Sequence, residues 1–391
     1  MREIFANLSN ETLLLRSKAV QEDILRDLQV LVNIDSPSGY SEGLTALKTI
    51  ITNQLAALGA ALEVLPTLNG GYNIIATLTG GGENNILLLA HADTVFPVGT
   101  APQRPFHIKD GKAYGPGVCD DKAAVVMAIY ALKLLRERNF SDFGKITLLI
   151  NSDEEICSVH SRDLIKTLAQ QHHYAICLES GGINNEIVSW RKGSARATIE
   201  VHGKASHAGS SPEKGRNALV ELAHQVLQIT TLANKEKETS VSVTVFNAGE
   251  KINVIPAYAV AQIDIRAKYQ DELDRIAEAG AKIAKQNIVP GTQVTFTFIP
   301  NRPAFPTNPD TDALAEKVKA LYQEIGLDTT GIGTGGGSDG NWTSLAGTPT
   351  IDGMSFIGGN AHTDEEYLEL ETMPARLYVL TRLLIELSTS E

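Results

Sequence analysis

Apolar residues recur with helical spacing over 22–32 and 45–58, then give way to apolar runs of strand length over 72–78 and 85–90. The second run is almost wholly apolar, the mark of a strand covered on both faces. A strong helical pattern follows over 122–137, another buried strand over 145–151, a helix over 161–170 and a strand over 174–178. This alternation predicts an α/β fold: a mostly parallel sheet with helices on both faces. In such sheets ligands bind where strands end and loops begin.

The texture changes near Arg191. Residues 194–202 alternate, 217–232 are helical, 240–246 and 260–268 alternate again, 271–285 are helical and 293–299 alternate once more. Strand, helix, strand, strand, helix, strand is the order of an α+β ferredoxin-like sandwich. Beyond Pro303 the chain resumes with a helix over 312–327, a Gly-rich loop, a short strand around 349–354 and a helix over 374–387. The expected organisation is one discontinuous domain, 1–191 and 303–391, interrupted by a small domain over 192–302.

Composition narrows the function. A formal net charge of −12 over 391 residues argues against nucleic acid or an anionic membrane as partner, since both reward clustered Lys and Arg. The three cysteines, Cys119, Cys157 and Cys177, form neither a disulfide framework nor a structural zinc motif. Residues 1–15 lack a basic start followed by a long apolar core, so neither a signal peptide nor a membrane span is expected. The expected compartment is cytoplasmic.

Chemistry gathers at the strand ends. The run 85–90 leads into His91-Ala92-Asp93, where residues two apart in extended backbone point the same way, so Asp93 can orient the His91 ring for a metal. Gly115-Pro116-Gly117-Val118-Cys119-Asp120-Asp121-Lys122 precedes a helix: Asp121 suits capping, Asp120 is left for another task, and Cys119 reads as a small buried filler. Asp153-Glu154-Glu155 follows the run 145–151, a repulsive cluster that a divalent cation would relieve. Glu179 stands at the exit of the next strand, and His362 lies in Gly359-Asn360-Ala361-His362-Thr363-Asp364-Glu365. Parallel strands bring these ends to one edge, giving an oxygen-rich set with two imidazoles that suits zinc, with cobalt or manganese as substitutes.

These ordered motifs resemble those of the dinuclear zinc metallopeptidases that include carboxypeptidase G (glutamate carboxypeptidase), aminoacylase, acetylornithine deacetylase and succinyl-diaminopimelate desuccinylase. The resemblance runs from about residue 34 to 387 and is closest to the carboxypeptidase G branch through 113–122, 151–155, 203–218 and 334–339. It implies two Zn²⁺ per chain. Asp120 would bridge them, His91 and Glu179 would complete one shell, and Glu155 and His362 the other. It further implies Glu154 as general base, with the reverse assignment of Glu154 and Glu155 open from residue order alone, and Asp93 as the partner of His91.

In the segment 203–209 the resemblance makes His207 the oxyanion donor, reaching the site from the partner subunit of a homodimer. The inserted domain would then serve as lid and dimerisation domain. Asn253 and Arg266 match positions that contact the oxyanion region and a substrate's terminal carboxylate, although Arg266 on an alternating strand also reads as a solvated edge charge. The loop 333–339 offers backbone N–H groups for the same carboxylate and is not a phosphate loop. Residues 180–186 contain no Lys or Arg, so nothing there would pair with a substrate Glu side chain. The implied activity is carboxypeptidase-type cleavage of an amide beside a free carboxylate, with N-acyl amino acid deacylation as the alternative. The complete ligand set argues against a third reading, a non-catalytic binding protein.

Overall fold

The computed structural model describes residues 10–389; the first nine residues of the 1–15 segment lie outside that range. In chain order the main elements begin with helices α1 (Asn10–Ala19), α2 (Gln21–Val32) and α3 (Ser41–Ala57), followed by strands β1 (Ala61–Pro66), β2 (Tyr72–Thr79) and β3 (Asn85–His91). Next come α4 (Lys122–Glu137), β4 (Lys145–Asn151), α5 (Arg162–Ala169) and β5 (Tyr174–Cys177). The middle of the chain supplies β6 (Gly193–His202), α6 (Ala218–Thr230), β7 (Ser240–Ala248), β8 (Tyr258–Ala267), α7 (Gln270–Ile283) and β9 (Gln293–Arg302). It ends with α8 (Pro309–Gln323), β10 (Thr350–Ile351) and α9 (Met373–Ser388). Two compact units result: Arg191–Pro306 with Gly335–Gly337 forms one, and the flanking chain the other.

In the larger unit six strands run in the order β1–β2–β4–β3–β5–β10. β3 is parallel to β4 and β5, and β10 to β5, while the β1–β2 hairpin joins antiparallel. The mostly parallel sheet expected from the alternation is present. α4 shows why its apolar pattern reads so strongly: Lys122 through Leu132 are all buried, because the helix packs against β3, α2 and α9 at once. β1 carries no such signal, as an edge strand whose residues are mostly exposed.

A second, small antiparallel sheet in the same unit orders Gly358–Gly359, Tyr367–Glu369, Lys112–Tyr114 and His107–Lys109. Tyr367 pairs with Tyr114, so the loop 360–366 and the loop 115–121 spring from adjoining strands.

The smaller unit is a four-stranded antiparallel sheet, β7–β8–β6–β9, with a core in which Ile199, Val201, Ile263 and Ile265 meet Leu222 and Ile229 of α6 and Leu273 and Ile276 of α7. Spatial order and connectivity are those of the ferredoxin-like sandwich. Among the described residues no helix is long and apolar enough to cross a membrane.

Candidate metal centre

Strand register fixes the first half of the centre. His91 closes β3 opposite Asn151, the last residue of β4, and β5 runs alongside with Cys177 opposite Leu89. Three residues past β4 a single 3₁₀ turn presents Glu154 and Glu155, and two residues past β5 comes Glu179. Parallel pairing makes all three chain exits open at the same edge of the sheet.

Asp120 comes from the loop before α4, and His362 from the loop off the small sheet. The Asp120 carboxylate lies between two imidazoles: Oδ1 is 2.9 Å from His91 Nε2 and Oδ2 is 3.1 Å from His362 Nε2. Glu179 Oε1 stands 3.9 Å from His91 Nε2, and Glu155 Oε2 3.3 Å from His362 Nε2. Two groups with ligand-competent atoms follow, His91–Asp120–Glu179 and Asp120–Glu155–His362, each with its donor atoms within 4.8 Å of one another.

The electrostatics are those of a site built for positive charge. Burial alone would lower the His91 pKa, yet hydrogen bonding to Asp120 and Asp93 carries it well above its ordinary value. His362 is pushed up to about 10 by hydrogen bonds to Asp120 and Glu155. Asp120, which burial would raise, is held below the carboxylate range by His362 and His91. Burial drives Glu155 upward, and its Oε1 is buried without a hydrogen-bond partner. Largely buried carboxylates, one with an orphaned oxygen, and two imidazoles make a donor set that fits divalent metal, with the imidazoles then neutral.

The surroundings hold these groups in place. Asp93, fully buried, accepts the backbone N–H groups of Glu154 and Glu155 at 3.2 Å each and the Ser38 hydroxyl at 2.6 Å. Asp121 differs from the capping role its position suggests. It stands at the N-cap of α4 but makes no cap hydrogen bond, and its carboxylate accepts the backbone N–H of His91 at 3.1 Å. Asp339, from the end of the Gly-rich loop, is buried and accepts from Asn151 and Ser158, bracing the turn of the two glutamates.

Two further residues have no local sequence signal. Glu366 accepts the backbone N–H groups of Gly117, Cys119 and Asp120, and burial pushes its carboxyl up to about 7. Only its place in the acidic run Asp364-Glu365-Glu366 could have drawn attention. Arg376, on α9 and 1% exposed, spends its guanidinium on the carbonyls of Gly353, Ser355 and Asn185 and on the Tyr322 hydroxyl. Ser355 in turn donates its N–H to the carbonyl of Glu179 at 3.0 Å.

His207, Asn253 and Arg266 belong to the smaller unit. Ser206–His207 pairs with Val254–Ile255, and the Ala208 N–H donates to the Asn253 carbonyl at 2.9 Å, so His207 and Asn253 sit on adjoining segments. His207 Nδ1 accepts from the N–H groups of Gly209 and Ser210, both at 3.1 Å, which leaves Nε2 to carry the ring proton. Arg266 pairs with Asp264, Nε to Oδ1 at 3.0 Å, and Nη1 donates to the Gly335 carbonyl at 3.3 Å. Gly336 likewise turns its carbonyl to Arg191 at 3.4 Å. The Gly-rich loop thus meets both arginines through its carbonyls.

Residues 87–386 match the family described as Peptidase family M20/M25/M40. The chain is 35% identical over 377 residues to carboxypeptidase G2 of Pseudomonas sp. (strain RS-16), covering 95% of this chain and 91% of that protein. It is 30% identical over 238 residues to acetylornithine deacetylase of Proteus mirabilis (strain HI4320), covering 56% and 60%. Among solved structures it is similar to the aminopeptidase PepT of Bacillus cereus ATCC 10987, with a TM-score of 0.80, 25% identity and 94% and 99% of the two chains covered.

Proposed function

The chain belongs to peptidase family M20/M25/M40 and is a metal-dependent hydrolase, and on that premise we propose that it cleaves an amide bond next to a free carboxylate, as a carboxypeptidase G-like exopeptidase. The observation that carries the reading is the Asp120 carboxylate, with one oxygen 2.9 Å from His91 and the other 3.1 Å from His362. His91, Asp120 and Glu179 would hold one cation, and Asp120, Glu155 and His362 a second. Zinc is the metal this donor set favours, with cobalt or manganese as substitutes. When bound, the cations supply Lewis acidity: they polarise the scissile carbonyl and acidify water.

Glu154, buried and pinned through its backbone by Asp93, is the general base. It takes a proton from the attacking water as the C–O bond forms. It returns that proton to the leaving nitrogen as the C–N bond breaks. Glu155 would hold a cation together with Asp120 and His362, so the adjacent glutamates would divide ligation and proton transfer. His207, with its proton on Nε2, is equipped to donate to the oxyanion of the tetrahedral intermediate. We assign that donation to the partner subunit of a homodimer, which gives the inserted domain its lid and dimerisation role. Asn253 would serve the oxyanion region and Arg266 the substrate carboxylate, in competition with Asp264 for the guanidinium.

The test is a hydrolysis screen of zinc-loaded protein against N-acyl amino acids and short peptides, each with a free and an amidated C-terminus. Cleavage restricted to the free acids is the expected result, and equal cleavage of the amidated partners would remove the carboxylate requirement. A second reading, deacylation of N-acyl amino acids, is supported by the likeness to acetylornithine deacetylase. The same screen separates the two by the acyl groups accepted.

A further inference from the structure

Three backbone N–H groups in the loop before α4 converge on one side chain. Glu366 Oε1 accepts Cys119 N–H at 2.8 Å and Asp120 N–H at 3.0 Å, while Oε2 accepts Gly117 N–H at 3.1 Å. The residue is 1% exposed. The loop turns there through Gly117 at φ +74°, a left-handed conformation that leaves its amides pointing inward. Glu366 is also four residues beyond His362, and its own N–H donates to the Thr363 carbonyl at 3.3 Å. One carboxylate therefore ties the loop carrying Asp120 to the loop carrying His362.

We infer that Glu366 is the positioning residue of the proposed metal centre: it sets the backbone of Asp120, and through it the two carboxylate oxygens that face His91 and His362. This rests on the dinuclear reading above. Only a carboxylate suits the task. An amide in its place offers a single acceptor oxygen, and its NH₂ would face one of the three N–H groups donor to donor. Because Asp120 belongs to both candidate ligand groups, a shift of its backbone disturbs both cation sites at once. A group that supports only one ligand disturbs one.

The experiment is a chelator-competition titration of zinc into the full chain and into E366Q, with E221Q as control. Glu221 is likewise buried and accepts two backbone N–H groups, from Ile288 and Val289, but in the smaller unit. The expected result is a loss of about 10–100-fold in affinity at both binding steps in E366Q, the range for groups that orient metal ligands, with E221Q at parental affinity. E179Q should lose affinity at one step only. Should E366Q fail to fold, E366D, which keeps the charge but is one methylene shorter, is read by the same titration. Parental affinity at either step in the folded variant, or an equal loss in E221Q, overturns the inference. Two cations bound by the parental protein with no hydrolysis in the screen removes the proposed substrate and leaves the Glu366 comparison standing. No divalent cation bound at all overturns both.

Discussion

Asp93 Oδ1 lies 3.3 Å from His91 Nδ1, and the same oxygen accepts the backbone N–H of Glu154. One buried carboxylate thus turns the imidazole and anchors the turn that carries the proposed base. Asp93→Asn keeps the size but swaps an acceptor for a donor that faces backbone N–H groups. We expect zinc affinity and kcat/KM each to fall about 10–100-fold, read by chelator competition and steady-state kinetics. Parental values for both would remove Asp93 from the centre.

Glu154→Gln separates ligation from proton transfer. The variant should bind both cations with parental affinity while kcat drops by about 10²–10⁴-fold, the usual worth of a positioned general base. If instead a cation is lost and the Glu155→Gln variant retains both, the two glutamates exchange roles.

Acid sensitivity is expected in the smaller unit. Glu272 has a side chain 1% exposed, and Arg275, which donates to it, together with burial, Lys237 and Thr239, sets its pKa; burial works upward, but the donors win and hold it at about 2. A carboxyl whose folded pKa is depressed contributes stability above its unfolded value, and that contribution fades as pH falls toward 2. Glu272→Gln should therefore lower stability near neutrality by about 1.5–3 kcal/mol, as expected for hydrogen bonds to a charged group. The gap to the parental protein should narrow in urea titrations toward pH 3. A constant gap across that range would contradict the assignment.

Subunit mixing tests the proposed trans role of His207 in the proposed homodimer. Glu154→Gln and His207→Ala homodimers should each be nearly inactive. After exchange, mixed dimers contain one site with an intact base and an intact partner histidine, so about a quarter of parental activity should return, half the dimers being mixed with one good site each. No recovery after exchange has been verified by mass spectrometry would place His207 in its own subunit's site or outside catalysis.

How much of this was readable from residue order follows physical lines. His91, Glu154, Glu155 and Glu179 are legible because each follows an apolar run, and parallel pairing of such runs forces their ends together. Asp120 is legible from its glycine-flanked place before a helix. Glu366 is not: its partners lie 246 to 249 residues away, and no spacing rule spans that distance. Arg376 is hidden for a different reason. It sits inside an apolar helix where an arginine reads as solvent-facing, yet it is buried, with the carbonyls of Gly353, Ser355 and Asn185 and the Tyr322 hydroxyl accepting four of its five N–H groups. Asp121 shows the opposite failure. Its position satisfies the helix-start rule, and a tertiary partner, the His91 N–H, takes its side chain instead.

The contact between Gly181 and Arg376 bears on redesign. A side chain added at position 181 would run into the guanidinium, which is already committed to loop carbonyls that steady Glu179. Among residues 180–186, which carry no Lys or Arg, position 181 is closed to substitution. An engineered library aimed at altered substrate preference should hold it fixed, and Asn184 and Asn185, whose left-handed backbone favours glycine, asparagine or aspartate, are poor positions for a new cation.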